Sequence, residues 1–124
     1  MNSVTISPPN AILFVLDPTN KKAVVPQYVA GNLTAATESC VSVGTQDLVD
    51  GETEVTLKLG DATLPALHRV FSGNVNTPNR KIAVVTAELQ RVLELDVSTE
   101  KVDVSIWVDD RQNPARVTVI VAPQ

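Results

Sequence analysis

A single histidine, His68, and a single cysteine, Cys40, are the imidazole and the thiol that the 124-residue chain offers for chemistry. Nucleophilic catalysis needs a Ser, Cys or Thr held beside a base, with a third group orienting that base. Neither residue has the surroundings that activate such a pair. There is no Gly-rich elbow, no helix start and no cluster of basic side chains next to either one. The pattern predicts a buried structural thiol and a half-exposed imidazole, so no enzyme is expected.

One Cys and one His cannot close a structural zinc site. Asp109, Asp110 and Asn113 place three oxygen donors in one short segment, the ligand type calcium takes. Their spacing does not match an EF-hand loop, no bidentate Glu ends the segment, and Asp and Asn are ordinary turn residues. Asp47, Asp50, Glu52 and Glu54 form a second acidic group, to be read as a patch for a basic partner or as a solvated loop and strand face. Phosphate-cradling G-x-x-x-x-G-K-[ST] and G-x-G-x-x-G motifs and the metalloprotease H-E-x-x-H do not occur. No cofactor and no metal are expected.

The residue that calls for a partner is Trp107. In "VSIWVDDRQNPARVTVIV", residues 104–121, apolar and polar side chains alternate on both sides of a polar turn. Val102, Val104, Ile106 and Val108 already complete one apolar face, which leaves the indole on the other face beside Asp103, Ser105 and Asp109. Either a loop such as 21–37 or a sheet edge folds over it, or it is the centre of a binding patch. In the second case Trp107 is joined by Arg116, Thr118 and Ile120 from the last strand, with Asp103 and Asp109 beside it, a composition suited to an interface anchor. Tyr28 is a further candidate for this patch.

The elements that would hold these residues are strands. Val4 and Ile6 open a first strand ended by Pro8-Pro9, and Ala11–Leu16 is apolar on both parities, as in a strand between two layers. Asp17-Pro18-Thr19-Asn20 reads as a turn, and 21–37 stays open. Ser39–Val43, Thr53–Leu59 ended by Gly60-Asp61, and Leu67–Val75 between prolines 65 and 78 are further strands. For 86–95 the choice is a short helix or two strands with a turn near Gln90, and the in-phase Leu93, Leu95 and Val97 favour strands. Residues 92–121 then read as an antiparallel meander. Seven to nine such strands with almost no helix signal predict an all-β, antiparallel β-sandwich or flattened barrel in one domain spanning 1–124. The expected core is Ile6, Phe14, Leu16, Val41, Val43, Val55, Leu57, Phe71, Val84, Leu93, Leu95, Val104, Ile106, Val108, Val117 and Val119.

Ten basic against fourteen acidic side chains give a net charge of −4, which works against binding a phosphate backbone, so nucleic acid is not an expected ligand. The lone thiol suits a reducing cytoplasm, and neither a signal peptide nor a membrane span is read in the sequence. A small acidic, bacterial-looking all-β protein without catalytic groups resembles immunity or inhibitor proteins that block toxins or nucleases. No motif carries that likeness, so it assigns no residue a role. The expected function is a non-enzymatic, cytoplasmic protein-binding module acting on a protein partner or on a second copy of itself. The alternative is a small-ligand or carbohydrate-binding sandwich with Trp107 as its stacking platform.

Overall fold

Alternation along the chain becomes burial in space. Between positions 102 and 108, Val102, Val104, Ile106 and Val108 are at most 2% exposed, whereas Asp103 is exposed and Ser105 and Trp107 are half-buried. The computed structural model describes residues 2–60 and 64–122. They form β1 (Ser3–Ile6), β2 (Ile12–Leu16), β3 (Thr34–Ala36), β4 (Cys40–Gly44), β5 (Thr53–Leu59), β6 (His68–Asn76), β7 (Lys81–Thr86), β8 (Arg91–Asp96), β9 (Lys101–Val108) and β10 (Arg116–Val121). Two short 3₁₀ turns, Pro9–Ala11 and Leu48–Asp50, are the helical elements among these residues. No helix is long and apolar enough to cross a membrane.

Two five-stranded sheets pack face to face, with orders β1-β5-β10-β9-β6 and β3-β4-β2-β7-β8. Pairing is antiparallel throughout except between β5 and β10. A parallel pair needs a long connection, and here the chain builds β6 to β9 before β10 returns beside β5. The all-β sandwich expected from the periodicity is the fold observed. The ten strands exceed the expected seven to nine because 21–37, which carries no clear alternation, contributes the three-residue edge strand β3.

Leu13, Val15, Val41, Val43, Val55, Leu57, Ile82, Val84, Val104, Ile106, Val117 and Val119 are among the residues that fill the space between the sheets. Each such side chain contributes about 1.5–3 kcal/mol on burial, so an aliphatic core suffices although aromatics are 3% of the chain. Two expected core residues do not belong to it. Phe14 and Leu16 lie half-buried on the outer face of the second sheet, and Leu13 and Val15 take the inner positions at 0% exposure. A strand apolar on both parities carries no signal for which side faces in. Its register decides, and pairing Leu13 with Val43 and Val15 with Val41 aligns the inner rows.

The expected meander over 92–121 holds only for the β9–β10 hairpin. β8 pairs with β7 in the other sheet, so the 97–100 link crosses between layers. Thr77, fully buried, anchors that crossing: its Oγ1 donates to the Thr99 carbonyl at 2.8 Å and its N–H to the Glu100 carbonyl at 2.9 Å. In 86–95 the two strands form as expected. Leu89 takes the left-handed conformation (φ 65°), and the Thr86 hydroxyl accepts from the Glu88 and Gln90 N–H groups. The Asp17 turn is a knot between distant segments. One carboxylate oxygen accepts from the N–H and hydroxyl of Thr19 and the other from the N–H of Asn79 at 2.9 Å. Gly60 closes β5 in the left-handed half of backbone space (φ 154°), while Asp61 lies outside the described residues.

Candidate protein-binding surface

The outer face of the first sheet follows from its register. On β9, Asp103, Ser105 and Trp107 point outward. Trp107 stands opposite Thr118 of β10 on one side and Arg69 of β6 on the other. The guanidinium of Arg69 sits 5.9 Å from the centre of the indole ring, within cation–π range. The indole N–H donates to Ser105 Oγ at 3.0 Å. Trp107 is therefore held with its polar atom satisfied and its ring partly open to solvent.

A bulge makes this arrangement. Between Arg69 and Phe71 the register of β6 against β9 shifts, leaving Val70 as an extra residue. Before the bulge Arg69 shares the outer side with Trp107. After it, Phe71 and Val75 turn inward to the core. Strict two-residue counting puts Arg69 and Phe71 on one parity, and the bulge is the phase change that separates them. Gly73 lies under the Phe71 ring, where a Cβ would come within 2.9 Å of the ring tip.

The expected patch residues separate into three kinds. Arg116, Thr118 and Ile120 share the outer face with Trp107. Thr118 and Ile120 are only 6% and 3% exposed, so they underlie the surface, whereas Arg116 reaches over it to Glu54 at 3.1 Å. Asp103 is exposed on the same face opposite Asn74. Asp109 is at the end of β9 and shapes the turn, its carboxylate accepting from the N–H groups of Ala115 and Arg116 at 3.0 Å each. Tyr28 belongs elsewhere, in the connection that runs along the other sheet: in this stretch Val24 N–H bonds Ser39 and Leu33 carbonyl accepts from Gly44. On its outer face Trp107 meets Arg69 of the edge strand and Ser105 of its own strand.

The other reactive groups stay apart. Cys40 starts β4 at 0% exposure, and burial pushes its thiol up to about 12, far from the thiolate needed for nucleophilic chemistry. His68 is exposed at the start of β6 beside Val108, at the end of the sandwich where Gln46 meets Pro114 and opposite the end where Cys40 pairs with Leu16. Asp110 accepts from the N–H groups of Gln112 and Asn113, which hold its carboxyl below the usual range. Among the described residues, no three His, Cys, Asp or Glu side chains converge in a geometry suited to a metal ion.

The fold is shared with a solved protein. It is similar to the crystal structure of ComJ, inhibitor of the DNA degrading activity of NucA, from Bacillus subtilis. The two share a TM-score of 0.73 at 10% sequence identity, covering 100% of this chain and 96% of ComJ. At that identity the likeness is one of fold. No protein-family model matches the sequence, and no curated protein matches it either.

Sequence reasoning missed Arg69 as the companion of Trp107, because a bulge is invisible to strict two-residue counting. It also missed the exposed apolar pair Leu48 and Val49, at 65% and 81% exposure. Asp47 N-caps the 3₁₀ turn that presents Leu48 and Val49, its side chain accepting from the Val49 N–H.

Proposed function

We propose that this chain is a non-enzymatic, inhibitor-type protein that captures a protein partner on the outer face of its first sheet, with Trp107 as anchor. The observation that carries this reading is the half-open indole braced by Arg69. A half-open Trp–Arg pair on the outer face of a sheet has the composition of an interface hot spot. Asp103 and Arg116 form its polar margin, and Thr118 and Ile120 its packed floor. The whole-length likeness in fold to a nuclease inhibitor supports a partner of the same kind, an enzyme that degrades DNA. A net charge of −4 favours encounter with such a partner, whose substrate groove is basic in order to hold phosphates. A cytoplasmic site of action fits the lone reduced thiol.

The test is inhibition of DNA degradation. Purified protein is titrated against nucleases from the source organism, with release of acid-soluble nucleotides as the readout. The expected result is stoichiometric inhibition of at least one enzyme and a loss of about thirtyfold or more in affinity on Trp107→Ala, the size of a hot-spot truncation. Inhibition undiminished in Trp107→Ala would move the contact surface elsewhere, and no inhibition of any nuclease would remove this class of partner.

A further inference from the structure

The 17–33 connection returns along the outer face of the second sheet, where the Leu33 carbonyl accepts from Gly44 N–H at 2.9 Å. Just before that bond the chain lifts away in a turn closed by Asn32 N–H to the Val29 carbonyl at 3.1 Å, with Gly31 in the left-handed region (φ 89°). Beneath this turn is a pocket of about 600 Å³. Its walls include Ile12 and Ala35 from the sheet and Tyr28, Val29 and Leu33 from the connection, and Arg111 of the β9–β10 loop reaches it from the side.

The charge pattern of the lining is its most informative feature. Among the described residues that line the pocket, Arg111 is the only charged one, in a chain of net charge −4. Among the described residues Arg111 takes part in none of the ion pairs. Its neighbour Asp110 is engaged by the backbone N–H groups of Gln112 and Asn113. A lone guanidinium at the side of a cavity whose apolar walls are interspersed with uncharged amides and hydroxyls, Asn32 and Ser42 among them, matches a ligand with one anionic head and an apolar body. The volume lies within the usual range of small-molecule sites, roughly 300–1,000 Å³. Tyr28 and Val29, 72% and 49% exposed, would bury apolar surface against a ligand held in the pocket.

We propose that this pocket binds a small apolar carboxylic acid, its carboxylate paired with Arg111 and its hydrocarbon part between Tyr28, Ile12 and Leu33. The site lies on the second sheet, away from Trp107, and does not depend on the proposed partner surface. A single arginine with one charge to satisfy selects a monocarboxylate over a polyphosphate, which takes several cations or a nest of backbone N–H groups.

The probes are 4-phenylbutyrate and its uncharged amide, titrated into ¹⁵N-labelled protein and followed by amide NMR. The acid is expected to move the resonances of Tyr28, Gly31 and Gly44 and to bind about tenfold more tightly than the amide. Arg111→Gln is expected to abolish that preference for the acid and leave amide binding unchanged. Arg111 is exposed, so the variant retains the fold, checked by its unchanged spectrum elsewhere. Equal binding of acid and amide, shifts that map away from Gly31 and Gly44, or no shifts at about 10 mM acid, a concentration that would reveal even millimolar affinity, would each overturn the proposal.

Discussion

Ile106 and Trp107 are adjacent in sequence and opposite in environment, so truncating each to alanine separates core from surface with a single register. Ile106 is fully buried between the sheets, and Ile106→Ala should cost about 3–4 kcal/mol, the transfer term plus the cavity left behind. Trp107 is half-buried outside the core, and its Arg69 contact contributes about 0.5–1 kcal/mol at an exposed site. With the apolar surface it shields, Trp107→Ala should cost about 1–2 kcal/mol in total. An unfolding entropy of about 2.1 cal/mol/K per residue gives about 0.26 kcal/mol/K for 124 residues. The midpoint should then fall by about 12–15 °C for Ile106→Ala and about 4–8 °C for Trp107→Ala. Differential scanning calorimetry on both variants reads the pair directly. A larger loss for Trp107→Ala would mean that β9 presents its other face to the core, since a buried Trp costs about 3–5 kcal/mol to truncate. The assignment of the whole first sheet would fall with it.

Other expectations follow from buried polar and titratable groups. Asp17→Ala removes the acceptor of three donors, two from Thr19 in its own turn and one from Asn79 in the β6–β7 link between the sheets, and should cost about 2–4 kcal/mol by urea titration. Asp17→Asn, keeping one acceptor oxygen, should cost less; a loss as large as that of Asp17→Ala would contradict this, and no loss at all would show the second oxygen to be idle. Cys40, raised from 9.0 to about 12 by burial, should resist thiol reagents in the folded protein and react at once in denaturant. Because folding raises that pKa, the neutral thiol's contribution is complete below pH 9.0 and is lost as pH rises toward about 12. Cys40→Ala should lower stability at neutral pH and flatten this alkaline limb, and an unchanged limb would assign it to other groups.

Where one face of a strand is apolar and the other polar, the sequence already carries the structure. Thr53–Leu59 is recovered with its parity intact, and Val102–Val108 and Val117–Val121 keep theirs within β9 and β10. β2 fails this test because Ile12–Leu16 is apolar on both sides, and only its pairing with β4 and β7 shows that Leu13 and Val15 face inward. The crossing after β8 was unreadable for another reason. A polar Ser98-Thr99-Glu100 segment looks the same whether it turns a hairpin or joins two sheets, and the deciding hydrogen bonds come from Thr77, more than twenty residues earlier. At the candidate surface, Trp107 was legible as the odd residue on a polar parity. Arg69 was hidden by the bulge, and the Tyr28 pocket by a connection with no period at all.

The partner claim turns on whether Trp107 is covered when a nuclease is bound. As the single tryptophan of the chain, it accepts a 5-fluoroindole label that yields one ¹⁹F resonance. On addition of an inhibited nuclease, that resonance is expected to shift and lose its sensitivity to replacing H₂O with D₂O, because the ring leaves solvent. Full inhibition with an unmoved, still solvent-sensitive resonance would contradict the account.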